Sequence, residues 1–269
     1  MTNYTPATYF EGGTAVVTGA ASGIGRATAC AFARDGCEKL LLGDLNLAGL
    51  EETKALILKD HPKARVEITR LDITKEDEVD AFYARCVTLF GRIDFAANVA
   101  GRAQPAQPIY SLTGRDFNLV YNVNQRGTFF CQRAQLRIML KQEPLPGYES
   151  RGSIVNVTSL CGTVPLLGLA AYSASKNAVI GMTKVDALDY GPDKIRINSV
   201  APGNTLTPMV APAMGDTHHP RFAAKTAWRR NGQPEDIANA ICWLSSPQAT
   251  FITGLNLPVD GGLNLHNPN

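Results

Sequence analysis

The chain of 269 residues is 45% hydrophobic and 19% charged, which bounds one compact domain with an ample core. A net charge of +2 gives nucleic acid or an anionic membrane little to hold, so neither is expected as a partner. Six cysteines without C-x-x-C pairs (Cys30, Cys37, Cys86, Cys131, Cys161, Cys242) and four histidines without ligand spacing (His61, His218, His219, His266) predict free thiols and no metal site.

The opening "MTNYTPATYFEGG" has no basic patch followed by an apolar run, and no stretch of eighteen apolar residues occurs. A cytoplasmic location is the expectation. "TAVVTGA" (Thr14–Ala20) is a β-branched run ending in glycine and predicts a buried strand. Helical spacing of Ile24, Ala27, Cys30 and Ala31 follows, stopped by Gly36. "KLLLGD" predicts a strand covered on both faces, Leu47 to Lys59 a helix, and "RVEITRLD" a third strand ending before Asp72. The alternation continues through the amphipathic "EDEVDAFYARCVTLFG", the strand "IDFAANVAG" and a helix near Thr113–Arg137. Beyond these come the strand "SIVNVTS", a helix from Tyr172, the strand "IRINSVAPG", the helix "EDIANAICWLSS" and the apolar "LNLPVD". Strand–helix alternation of this kind predicts a single doubly wound α/β domain, its sheet mostly parallel with helices on both faces. Two stretches interrupt it. Lys141–Gly152 is polar and rich in Pro and Gly, hence a surface loop, while the segment at about 204–230 is long enough for a substrate lid. Within that segment Met209, Met214 and Trp228 could touch substrate or simply pack the lid.

"TGAASGIG" places Gly19, Gly23 and Gly25 between the first strand and the first helix, where missing side chains let backbone N–H groups approach a pyrophosphate. Asp44 ends the second strand, nineteen residues after Gly25, and can accept from the ribose hydroxyls of an adenosine. Neither Ser22 nor Leu45 offers a cation to a 2′-phosphate, which favours NAD over NADP. "LDI" (Leu71–Ile73) and "NVAG" (Asn98–Gly101) stand at further strand carboxyl ends and continue the same track. In "YSASK", Tyr172 and Lys176 are four residues apart, on one helical face with small residues between them. A cation about 5 Å from a phenol lowers its pKa by roughly two units at an effective dielectric of 20, bringing it towards use as a base. Ser159, thirteen residues before Tyr172, supplies a hydroxyl beside it. Cys161 has no basic neighbour in sequence and reads as a packed or pocket-lining thiol.

These motifs, with Asn124 in "NVNQRG" and "PGNTLTPM" after the last long strand, resemble the short-chain dehydrogenase/reductase family over nearly the whole chain. The resemblance implies a single Rossmann-type domain and a catalytic set of Asn124, Ser159, Tyr172 and Lys176, with Asn124 holding a water that links the lysine to solvent. It implies dinucleotide contacts from Gly19, Ser22, Gly23, Ile24, Gly25, Asp44, Leu45, Asp72, Ile73, Asn98, Ala100 and Gly101. Tyr172, Lys176, Pro202, Gly203, Thr205 and Thr207 complete that set. Departures are small: Val99 and Thr205 stand where the family often has asparagine and isoleucine. The implied activity is NAD-dependent, reversible oxidation of a secondary alcohol to a ketone by a homo-oligomer, a tetramer or dimer. Cys161, Val164, Leu166, Leu167 and Leu169, between serine and tyrosine, suit an apolar or ring-bearing substrate. Rival readings are an NADPH-dependent carbonyl reductase, an isomerase or cyclase, and a nucleotide binder without chemistry.

Overall fold

Strands β1 (Thr14–Thr18), β4 (Phe95–Asn98), β5 (Gly152–Val157) and β6 (Ile195–Pro202) are buried at every position. A strand with no polar face must be covered on both sides, which explains the unbroken apolar runs. Together with β2 (Lys39–Asp44), β3 (Arg65–Arg70) and β7 (Asn256–Val259) they form a seven-stranded sheet in the order β3-β2-β1-β4-β5-β6-β7. Every pairing is parallel. The computed structural model describes residues 8–209 and 223–265; Met214, His218, His219, His266 and the middle of the expected lid lie outside them.

Helices cover both faces. On one, α1 (Gly23–Arg34), α2 (Leu47–Asp60) and α7 (Pro234–Ser245) pack Phe32, Leu50, Ile57, Ile237 and Ile241 against the sheet. On the other, α3 (Glu76–Phe90), α5 (Thr128–Met139) and α6 (Ala170–Tyr190) contribute Phe82, Tyr83, Phe130, Leu136 and Ala187. The helix expected near Thr113–Arg137 is in fact two: α4 (Gly114–Tyr121) and α5 are joined by a π-helical turn at Asn122–Gly127. The wider turn shifts the register, and Thr128 Oγ1 donates to the carbonyl of Asn124 at 2.8 Å. The strand expected through Ala20 ends at Thr18, because Gly19 takes φ +71.

The sheet order reverses between β1 and β4. Their following segments diverge to opposite faces and leave a crevice at the carboxyl ends, where open α/β sheets take ligands. Among the described residues no helix is long and apolar enough to cross a membrane, and no cluster of His, Cys, Asp or Glu could hold a metal. All six cysteines are free thiols.

One buried cation holds the far side of the sheet together. Arg196, on β6 and 5% exposed, donates to the carbonyls of Leu244, Ser245 and Ser246 at the end of α7 and to Ile252 beyond it. It serves as the C-cap that α7 lacks in sequence. Arg196→Met keeps the volume and abandons those carbonyls, so unfolding in urea is expected to occur about 2–4 kcal/mol more easily. An unchanged midpoint would mean that water caps the helix equally well.

Candidate active site

The crevice begins at the glycine turn. A Cβ on Gly19 would stand 2.7 Å from the backbone of Ala100, and one on Gly25 only 2.0 Å from the carbonyl oxygen of Gly19. Side chains at either place would push β1, α1 and the end of β4 apart. Helix α1 therefore starts flush with the turn, with no side-chain cap and no acidic residue in its first turn. Its N–H groups and positive dipole end are left for an anion. Asp44 is placed by the same turn: one carboxylate oxygen accepts from Ala21 N–H at 3.1 Å, the other from Asn46 N–H at 2.9 Å. Ser22 and Leu45 are exposed beside it. The Arg26 guanidinium is tied down beneath the turn by Ala21 O, Thr53 Oγ1 and Glu52. These features fit a dinucleotide along the strand ends, with its anionic centre at α1.

Further along, Asp72 Oδ1 accepts from Thr74 N–H and Oγ1–H, and Ile73 is buried against Gly127. Asn98 turns its amide into the core, where it meets Gln135 and Asn156; any part it takes in the crevice falls to its backbone. Ala100 N–H donates to Thr18 Oγ1. After β6, Gly203 N–H bonds Val259 O, and Thr205 is buried with its hydroxyl on Gly203 O. Thr207 folds back over the turn, its Cγ2 lying 3.2 Å from where a Cβ of Gly23 would be. Pro202 ends β6 as a buried residue. The expected dinucleotide residues thus lie along one edge of the sheet, from Gly19 to Thr207.

Ser159 follows β5, and its Oγ accepts from Cys161 N–H at 3.1 Å. Tyr172 stands in the first turn of α6. Burial pushes its phenol up to about 12, while the Ser159 hydroxyl beside it works in the opposite direction. Lys176, one turn on and 4% exposed, donates from Nζ to Val157 O at 2.8 Å and lies 5.8 Å from the Tyr172 ring centroid. Burial pushes its ammonium down to about 8. The direction at the phenol is opposite to the sequence expectation: desolvation outweighs any help from the lysine, which is itself partly discharged near pH 8.

Asn124 is fully buried, and its amide is fully engaged: Oδ1 accepts from Arg102 N–H at 2.7 Å, while Nδ2 donates to Arg102 O and to Ser175 Oγ. The side chain clamps the loop after β4 beside the lysine. A Cβ on Gly101 would sit 3.4 Å from Asn124 Oδ1 and 3.5 Å from Lys176 Nζ. Sequence reasoning missed Gln104, a buried amide that accepts from Tyr172 N–H at 2.9 Å. No motif marks it, since a lone glutamine in a loop carries no periodic signal. Cys161 is half-buried with its thiol pushed up by burial, a packed group and no nucleophile. The loops that follow β4 and Ser159 carry exposed apolar side chains: Ile109, Tyr110, Leu166 and Leu167 are 73%, 90%, 48% and 97% exposed.

A family profile described as "Enoyl-(Acyl carrier protein) reductase" matches residues 19–264. The short-chain dehydrogenase srdC of Neurospora crassa is 40% identical over 94% of this chain and 97% of its own. The cis-4-hydroxycyclohexanecarboxylate dehydrogenase of Sinomonas cyclohexanicum is 37% identical over 92% and 95%. The crystal structure of levodione reductase superposes with a TM-score of 0.88 at 33% identity, covering 96% of this chain and all of that one. Likeness of this extent runs through the strands and helices as well as the motifs, and the chain belongs to the short-chain dehydrogenase/reductase family, the NAD(P)-dependent alcohol dehydrogenases and ketoreductases.

Proposed function

We propose that the protein oxidises a secondary alcohol reversibly to a ketone with NAD, on an apolar or ring-bearing small molecule, with Tyr172 as the acid–base. The observation that carries this is the half-buried Tyr172, with Ser159 beside its phenol and the Lys176 ammonium, one helical turn on, 5.8 Å from its ring centroid. A bound nicotinamide supplies or accepts the hydride. The chain's own residues manage the proton. Ser159 holds the substrate oxygen by hydrogen bond, and Tyr172 takes the hydroxyl proton in oxidation and returns it in reduction. Lys176 keeps a cation near the phenolate that accepts the proton in oxidation and is left behind in reduction. Gly19, Ser22, Gly23, Ile24 and Gly25 would hold the pyrophosphate, and Asp44 the adenosine ribose. The exposed apolar side chains of the two loops suit a ring-bearing substrate, and one relative is named for a hydroxycyclohexanecarboxylate, a secondary alcohol on a six-membered ring. A homo-oligomer through the long helices belongs to the same proposal, since Phe129 of α5 and Val185 and Leu188 of α6 stand exposed.

Tyr172→Phe keeps the ring and removes the proton carrier. Turnover in a screen of secondary alcohols with NAD is expected to fall at least 10²-fold, with NADH binding by fluorescence titration little changed. Near wild-type turnover would remove Tyr172 from the mechanism.

Cofactor choice tests Asp44. A 2′-phosphate meets the carboxylate instead of a hydroxyl that donates to it, so NAD is expected to be preferred by about 2–3 kcal/mol, roughly 30–150-fold in kcat/KM. Asp44→Ser with Leu45→Arg removes the repulsion and supplies a cation, and should narrow or reverse the ratio. Equal use of NADPH by the wild type would mean that Asp44 does not face the ribose.

Lys176 is expected to lower stability for the sake of its site. Its ammonium is pushed from 10.5 to about 8, so the fold carries the full cost of that buried charge below pH 8 and sheds it between pH 8 and about 10.5. Lys176→Met should be inactive yet more stable at pH 7 by as much as about 3 kcal/mol, less the lost bond to Val157 O. The gain should shrink as melts are run from pH 8 to pH 10. A gain independent of pH would show that the lysine is not desolvated as described.

A further inference from the structure

Helix α6 starts without a cap of its own. Leu169 at its N-cap has φ −107 and ψ 35 and offers no side-chain acceptor, although the first N–H groups of any helix need partners from outside it. The N–H of Tyr172 finds one in Gln104 Oε1, 2.9 Å away from a loop 68 residues earlier. The other end of that amide, Nε2, donates to Gly168 O at 3.1 Å. Gln104 is 3% exposed, and its orientation follows from its partners: only the oxygen can receive an N–H and only the NH2 can meet a carbonyl. Gly168 O also accepts from Gln107 N–H at 3.0 Å. At Gly168 φ is +76, and a Cβ there would stand 2.8 Å from Gln107 N, so the approach is open to glycine alone. Three contacts therefore staple the loop after β4 to the loop between Ser159 and Tyr172.

We propose that Gln104 is a positioning residue for the reaction: it caps α6 at Tyr172 and so sets where the phenol stands relative to Ser159. The inference rests on the reading of Tyr172 as the acid–base. Lys176 has an anchor of its own in Val157 O. Loss of the cap would move the tyrosine without moving the lysine, and a displacement of about 1 Å at a reacting group can lower turnover by up to 10²-fold.

Two substitutions test this in the full-length protein with NAD and a turned-over secondary alcohol. Gln104→Met keeps the length and removes both contacts; kcat is expected to fall roughly 10–100-fold while NADH affinity by fluorescence titration stays unchanged. Gln104→Glu supplies a readout in pH. Protonated, the acid takes the Tyr172 N–H and gives its proton to Gly168 O; ionised, it keeps the first contact and makes the second repulsive. Its kcat relative to wild type is expected to fall as pH rises through that titration, a limb that Gln104→Met lacks. Wild-type kcat in Gln104→Met, or a Gln104→Glu profile parallel to wild type, overturns the proposal. So does a loss of kcat matched by an equal loss of NADH affinity, which would mark a packing residue. Should Gln104→Met fail to fold, the pH limb decides alone. Tyr172→Phe, measured alongside, separates the two readings: if it turns over, the acid–base assignment falls and this inference with it. If it is inactive while both Gln104 variants behave as wild type, only the inference falls.

Discussion

At the carboxyl end of β1, backbones approach more closely than any side chain permits, and the functional groups are placed from there. Gly25 lies against the carbonyl of Gly19, and Gly19 against the backbone of Ala100. The first contact seats α1 with its N–H groups facing the crevice; the second fixes the loop that leaves β4. One residue on, Gly101 lies within van der Waals reach of Asn124 and Lys176. The steric requirement at Gly19 and Gly25 thus fixes the turn before α1, and the loop that Gly19 holds passes on at Gly101 beside Asn124 and Lys176. That turn and that loop lie on segments that the sheet sends to opposite faces, so without close approach at the reversal point they would have no common edge.

The second constraint is dryness. Two buried carboxylates are matched by charge, Asp94 by Arg92 and Asp35 by Arg34, whereas buried Arg196 is held by carbonyls. Lys176 also meets a carbonyl, and among the described residues no carboxylate is paired with it. Tyr172 is likewise raised by burial. Burial pushes both groups towards their uncharged forms, which is a poor arrangement for a folded chain and a suitable one for a reaction that creates charge. In such surroundings a phenolate or an alkoxide feels a neighbouring cation far more strongly than in water. The i, i+4 spacing puts the lysine on the tyrosine's helical face, yet spacing carries distance and says nothing about solvent, so the lowered phenol pKa that it predicts is reversed by burial.

Most of the fold was legible for one reason: a parallel sheet covered on both faces writes its strands as apolar runs and its crossovers as helices. The misreadings fall where local geometry overrides pattern. The π-helical turn at Asn122–Gly127 is invisible to periodicity, since its residues suit an ordinary helix; in the structure it carries Asn124, whose amide bonds the backbone of Arg102. Gln104 was unreadable for a related reason. Its importance comes from an uncapped helix 68 residues away, and no short window contains both. Asp44, by contrast, was readable because strand end and glycine turn are close in sequence as well as in space.

The parts of the crevice differ in how they are held. Asp44, Asn124, Ser159 and Lys176 each bond to backbone within the crevice, so their positions follow from the fold. Ile109, Tyr110, Leu166 and Leu167, on the two stapled loops, are all exposed. Exposed apolar side chains at a loop tip cost the fold little to change, whereas a change at the staple reaches Tyr172 through its own backbone. Chemistry and recognition are thereby separated along the same two loops. On the proposed reading, their stapled bases serve the proton transfer and their exposed tips meet the substrate.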